Sequence, residues 1–296
     1  MPIRHYRPDD APALAALAVE CARGEADFVL NPLWESAEEL GAEFARFGIR
    51  PEEHVLVADE GDDGEVQGMV GFLRRPGETS AGMLCPIVRR KDRGRGIGGE
   101  LLRAGQRLGE ELGIELATAG IGTRNRAGYS LLASHGFRPV RQAYVMKCER
   151  APSPPEPIAG LEFAQARPED AKALLELYLS CEFEARSEEQ MRAMLGDGRH
   201  AHAVAHGSGN GGLAAFVELE THWPRRPWLA FAGVAKERRD QGIGAALVAW
   251  ALAARFAAGA KACLLALSPA NRTALRAYEK VGFRRFRLID ALEKKL

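Results

Sequence analysis

Short apolar runs broken by glycine and proline set the plan of the chain. Ile3 to Tyr6 alternates as a brief strand. Pro8-Asp9-Asp10 then reads as a helix start with acids in the first turn, and Leu14, Leu17 and Ala18 fall on one face of the helix that follows, which fades near Gly24. Residues 25–50 read as mostly helical. Alternation predicts a strand over 54–59, a hairpin turn at Gly61-Asp62-Asp63-Gly64, and strands over 66–73 and 82–88. A helix from Gly98 to Leu112, a strand over 115–119 and a helix opened by Asn125 come next. Gly136-Phe137 begins closing strands that reach Val145.

The second half follows the same order. Strands are expected over 161–165, 201–205, 213–219, 229–234 and 263–267, with a glycine-rich turn over 207–212. Helices are expected over 168–181, 187–195, from Ala245 onward, and over 271–281. Strands follow from Phe283. Each half mixes strands with helices, so the class is α/β, or α+β built on a mixed sheet.

The likeness is a repeat. One interval of 146 residues separates Arg93 from Arg239, Asn125 from Asn271, and Gly136-Phe137 from Gly282-Phe283. Upstream, Arg7-Pro8 and Arg167-Pro168 lie 160 apart. The first copy therefore carries 14 extra residues between its first helix and its loop. Two domains are expected, 1–150 and 159–296, joined by residues 151–158, where four prolines keep the backbone extended. A length of 296 agrees with two domains.

Composition narrows the partners. Lysine plus arginine and aspartate plus glutamate number 40 each, so bulk charge points neither to nucleic acid nor to an anionic membrane surface. No apolar run is long enough to span a membrane, the N-terminus shows no apolar signal core, and the five cysteines contain no C-x-x-C pair. A reducing, cytoplasmic setting is expected. Cys21 and Cys181, at the repeat interval, read as buried small residues.

Chemistry concentrates where an apolar strand runs into a glycine loop and a helix. In the second copy Arg239-x-x-Gly242-x-Gly244 lies there; in the first, Arg93-x-x-Gly96-x-Gly98. Glycines at a helix start let the backbone approach a ligand, and the first amides of the helix lack internal partners. With the helix dipole they form a cradle for a diphosphate. Gly94-x-Gly96-x-x-Gly99 also matches the dinucleotide fingerprint. However, about three strands precede it, and the second copy has Asp240, Gly242 and Ala245 at those positions, so the fingerprint is set aside. A second motif, Asn271 with Tyr278 two helical turns on and Gly282-Phe283 after, puts a phenol on the same helix face as the asparagine.

Loop, asparagine, tyrosine and Gly-Phe together resemble the GCN5-related N-acetyltransferase (GNAT) superfamily, in both halves. The resemblance implies a central mixed sheet with two splayed strands and acetyl-CoA (coenzyme A) in the splay. It implies direct transfer of acetyl to a primary amine, of a small molecule or a protein, in a ternary complex. Carried over, Ala232, Gly233 and Val234 would pair with the pantetheine arm and polarise the acetyl carbonyl, with Ala235 also on the cofactor. Arg239, Gln241, Gly242, Ile243, Gly244 and Ala245 would hold the diphosphate, with Asn271 in contact with the cofactor and Tyr278 the acid toward the thiolate. The first copy's counterparts would be Ile87, Val88, Arg93, Arg95, Gly96, Ile97, Gly98, Gly99 and Asn125. Leu132 replaces the acid there, so the C-terminal copy is expected to be catalytic and the first degenerate or merely cofactor-binding.

For a base, Glu218, Glu220 and His222 share one strand face, which could equally be an exposed polar face. His200, His202 and His206 have a metal-like spacing without an acid or cysteine to complete a set, so no metal is expected. Trp34 and Phe44, like Trp223 and Trp228, could either pack or line a groove. The alternative function is an acyl-CoA-binding regulatory or interaction module without turnover.

Overall fold

The computed structural model describes residues 2–60, 64–184, 186–207 and 212–296. Residues 61–63 and 208–211, on which two of the turn expectations fall, lie outside the described residues. The chain forms two compact units, Met1–Ala143 with Arg287–Leu296, and Tyr144–Phe286.

In the first unit the order is β1 (Ile3–His5), α1 (Ala11–Cys21), α2 (Ala37–Phe47), α3 (Pro51–His54), β2 (Val55–Ala58), β3 (Gly68–Leu73) and β4 (Ser80–Val88). There follow α4 (Ile97–Glu111), β5 (Leu116–Gly122), α5 (Arg126–Ser134) and the start of β6 (Arg138–Cys148). The second unit holds β7 (Leu161–Gln165), α6 (Ala171–Ser180), α7 (Glu188–Gly196), β8 (His200–Gly207), β9 (Leu213–Glu220) and β10 (Trp228–Val234). It continues with α8 (Ile243–Ala257), β11 (Cys263–Leu267), α9 (Arg272–Val281) and the start of β12 (Arg284–Lys295).

The repeated Arg-Pro-acid-Asp sequence does the same local work in both units. Asp10 accepts the backbone N–H of Arg7 at 2.6 Å and Asp170 that of Arg167 at 2.8 Å, which fixes the entry into α1 and α6. The expected apolar face of α1 is buried at Leu14, Leu17 and Ala18.

The first unit's sheet runs β1-β2-β3-β4-β5-β12 and the second's β7-β8-β9-β10-β11-β6. All neighbours pair antiparallel except β4 with β5 and β10 with β11, which are parallel. The mixed sheets agree with the expected fold class. The unit boundaries, however, depart from 1–150 and 159–296. Ile289–Lys295 of β12 pairs with β5, whereas Tyr144–Cys148 of β6 pairs with β11. Each unit closes with a strand that follows the other copy's last helix. Repeat spacing orders the copies along the chain; only the hydrogen-bond ladder decides which closing strand completes which sheet.

Helices cover both faces of the second unit's sheet. Leu247, Val248 and Leu252 of α8 pack on one side; Leu174, Leu177 and Tyr178 of α6 with Met191 of α7 pack on the other. Strand β9 is buried almost throughout as a result.

The expectation for 25–50 needs correction: only Ala37–Phe47 forms a long helix, and Phe28–Leu30 hydrogen-bonds to β5, with a bridge at Val29. Gly24 and Pro32 bound a stretch that cannot sustain a helix. Trp34 and Phe44 are fully buried, with ring centroids 6.0 Å apart, so they pack.

Candidate active site

Strands β10 and β11 are registered only at Trp228 and Leu264 and then separate. A bulge at Ala230, seen as a register shift against β9 between Leu229 and Phe231, re-aims β10 as it leaves. The N–H of Ala235 donates to the Ala214 carbonyl at 2.9 Å. By ladder alternation Gly233 also faces β9, while Ala232 and Val234 present their backbone groups to the gap. The expected contribution of Ala235 is therefore corrected: its amide is spent on the sheet.

A cleft of about 820 Å³ opens over this splay. Ala232, Gly233 and Val234 form one wall, and Gly242, Ile243, Gly244 and Ala245 at the start of α8 form its end. Gly242 has φ 77°, a left-handed conformation that favours glycine. At Gly244 a Cβ would come within 3.0 Å of Val234 Cγ2, so glycine keeps the helix close to the strand. The first amides of α8 have no partner earlier in their own helix and open toward the cleft.

Arg239 lies in the wall, its Nε donating to the Val234 carbonyl at 3.2 Å. Gln241 does not line the cleft; its side chain accepts from Arg238 Nε at 3.3 Å. Arg238, Arg276 and Lys280, which sequence analysis did not single out, join the rim. Arg276 and Lys280 are four residues apart on α9, a helical spacing that was open to inspection. Four cations thus face one acid, Asp240, which adopts φ 62° where the first copy has Gly94 at φ 79°.

Tyr278 and Asn271 both line the cleft. Asn271 Oδ1 accepts the Ala274 N–H at 3.1 Å, so part of its signal is helix capping. The ring of Tyr278 packs edge-on to Phe283 at 5.6 Å, and its hydroxyl has no hydrogen-bond partner among the described residues. Burial, with a smaller contribution from the Cys263 thiol, pushes its pKa up to about 12. The phenol is a proton donor throughout the neutral range. Cys181, expected to be buried, is half-buried and lines the cleft, with Sγ 3.6 Å from the Val234 carbonyl.

Glu218, Glu220 and His222 are all buried, so they do not form an exposed face. The Glu218 carboxylate accepts from Tyr178 Oη and, at 3.0 Å, from Arg186. His200 Nδ1 and His202 Nε2 lie 3.5 Å from its oxygens. Burial works against ionisation, but the two histidines and the Arg186 charge outweigh it and hold the carboxyl well below the usual range. Glu218 is an ion-pair anchor and a poor proton acceptor. Among the described residues no group of three or more His, Cys, Asp or Glu is placed to hold a metal.

The first unit's motif residues are otherwise engaged. Arg93 makes the same contact as Arg239, donating to the Val88 carbonyl at 3.0 Å, but it also donates to the Cys21 carbonyl at 3.1 Å and to Asp27 at 3.4 Å. Arg95 pairs with Asp92 at 2.9 Å. Asn125 caps α5 through Gly128 at 3.0 Å and donates to the Phe28 carbonyl at 3.3 Å. Leu132, at the position of the C-terminal tyrosine, is buried.

The model of the Acetyltransferase (GNAT) family matches residues 21–137 and again 171–283, well over half of the chain. The chain belongs to the GNAT family. Solved GNAT structures share its fold end to end. A GCN5-related N-acetyltransferase from Sphaerobacter thermophilus superposes with a TM-score of 0.81 at 22% identity, covering 99% of this chain and 95% of that one. A tandem GNAT protein from the clavulanic acid biosynthesis pathway superposes with a TM-score of 0.72 at 17% identity, covering 99% and 98%. The glucosamine N-acetyltransferase region of a fungal multi-domain β-N-acetylglucosaminidase gives 0.71 at 16%, covering 99% of this chain and 38% of that one. At these identities the likeness concerns the fold alone. No curated protein matches the chain. Among the described residues no helix is long and apolar enough to cross a membrane.

Proposed function

We propose that the C-terminal unit of this GNAT protein transfers an acetyl group from acetyl-CoA to a primary amine by direct attack in a ternary complex. The observation that carries the proposal is the convergence, in one cleft, of the open amides of α8, a four-cation rim and the Tyr278 phenol. Each part fits a portion of acetyl-CoA. The helix start and Arg239 suit a diphosphate. Ala232 and Val234 offer backbone hydrogen bonds to an amide-bearing arm. The acyl thioester supplies an electrophilic carbonyl and a thiolate leaving group. As the new C–N bond forms and the C–S bond breaks, Tyr278 donates its proton to sulfur; the proton lost from nitrogen goes to solvent, and solvent reprotonates the phenolate.

Asp240 is the single Asp, Glu or His among the described residues lining the cleft, and it sits on the glycine loop. Because no other carboxylate or imidazole lines the cleft among the described residues, the acceptor enters as the free amine. Catalysis is then chiefly positioning, with acid assistance from the phenol.

The lack of a second acid or imidazole in the described lining of the cleft also favours a second reading, an acyl-CoA-binding module without turnover. Thiol release from acetyl-CoA, followed with a thiol reagent across amines of varied size and charge, separates the two. Amine-dependent release supports the transferase. Binding of acetyl-CoA without release from any amine would replace it with the module.

A further inference from the structure

The two copies treat the same place in the fold in opposite ways. In the C-terminal unit the gap between the parallel strands is open. In the N-terminal unit β4 and β5 pair from Ser80 to Gly82 and then separate, but the gap is filled by the chain itself. Phe28–Asn31 lies between them, bridging β5 at Val29 and bending at Leu30 and Asn31. Gly122 N–H donates to the Phe28 carbonyl at 3.0 Å and Leu30 N–H to the Gly120 carbonyl at 2.9 Å, with Val29 opposite Ile121. On the other edge Cys85 N–H donates to the Asn31 carbonyl at 3.0 Å. Phe28 and Val29 are buried.

The rest of the unit is adapted to this segment. A Cβ on Gly120 would fall 2.7 Å from Leu30 Cβ, and one on Gly122 3.1 Å from Phe28 Cβ. At the repeat interval the open unit has Ala266 and Ser268 instead. Pro86 occupies the position of Ala232 and has no N–H to offer a ligand in the gap. Both motif side chains that remain are turned onto the segment or its approach: Asn125 donates to Phe28, and Arg93 reaches Asp27. Arg90 also reaches Asp27, at 3.3 Å. The Asp27 carboxylate thus gives the loop arginines the negative charge that a phosphate would bring.

We infer that Asp27–Asn31 is a built-in pseudo-ligand that fills the N-terminal unit's acyl-CoA slot, so that the chain takes up one acyl-CoA and takes it in the C-terminal unit. The inference rests on the functional reading only for where the single molecule binds. The filling of the slot stands on the N-terminal geometry alone. The segment falls in the stretch by which the first copy exceeds the second, so the length difference between the copies has a physical role.

Two measurements on the full chain test it. Calorimetric titration with coenzyme A is expected to give one equivalent; two equivalents would overturn the inference. Hydrogen exchange read by mass spectrometry is expected to show slow exchange over 28–31 and 85–88 without coenzyme A and no change on its addition, while 232–246 gains protection. Exchange over 28–31 at exposed-loop rates, or protection appearing there with coenzyme A, would overturn the pseudo-ligand. Failure of 232–246 to respond would overturn the C-terminal reading instead, and slow exchange over 28–31 would still support the filled slot.

Discussion

Replacing Tyr278 with phenylalanine removes one oxygen and little else. The ring keeps its edge-on contact with Phe283 at 5.6 Å, and the hydroxyl has no hydrogen bond to lose among the described residues. Folding stability should therefore move by less than about 1 kcal/mol, because no buried partner is left unsatisfied. Binding of acetyl-CoA should stay within about twofold, because diphosphate and pantetheine contacts lie elsewhere in the cleft. The chemical step is different. With a pKa of about 12 the phenol is protonated at pH 7–9, so all of the enzyme is in the donor form. Positioned general acids contribute about 10²-fold or more, so the variant should lose at least about 2.7 kcal/mol of transition-state stabilisation. Single-turnover acetylation under saturating acetyl-CoA, alongside calorimetric Kd and thermal melts, reads the three quantities separately. A rate within about threefold of wild type, with a good acceptor, would refute the acid role. A large loss in acetyl-CoA affinity would assign the phenol to binding.

Other expectations follow from the same geometry. Asp240→Gly relieves a left-handed non-glycine residue and removes the acid from the rim; stability should rise by about 0.5–1 kcal/mol in urea melts and KM for acetyl-CoA should fall severalfold, with kcat unchanged. The rate with a simple alkylamine should climb with pH toward the amine's own value near ~10.4, with no falling limb from Tyr278 below about pH 12; a plateau near pH 7 would mean an enzyme base exists. Glu218→Gln leaves the Arg186 charge without its partner and should cost about 3 kcal/mol or more at pH 7, measured by denaturant unfolding. Because the folded carboxyl is held below its unfolded value of about 4.3, its stabilisation is present above that pH and lost as pH falls; the variant's stability should be flatter over that acid window.

Much of this architecture was legible in the residues. Arg239, Gly242 and Gly244 lie where a strand–loop–helix reading places them, and the seven-residue step from Asn271 to Tyr278 brings both to one cleft. Periodicity could not show that β6 and β12 close each other's sheets, since both are plausible last strands of their own copies. Local pattern also misread 25–50, because the helical tendency on either side masked a segment whose conformation is set by long-range pairing with β5. Alternation puts Glu218, Glu220 and His222 on one face, yet the surroundings of Glu218 depend on Tyr178, Arg186 and His202 arriving from other elements. Sequence could have shown more in one respect. Comparing the copies at their interval sets Pro86 against Ala232 and Gly120 against Ala266, and a proline where a donor is needed is a mark of a slot put to another use.

The central claim is that the start of α8 grips the diphosphate of acetyl-CoA while Tyr278 reaches the sulfur end. A crystal structure of the full chain grown with coenzyme A tests it most directly. The account predicts one coenzyme per chain, its diphosphate oxygens within hydrogen-bond distance of the amides of residues 242–245 and its sulfur near the Tyr278 hydroxyl. A coenzyme bound at the Arg93 loop, or one in the C-terminal cleft with its thiol directed away from Tyr278, would contradict it.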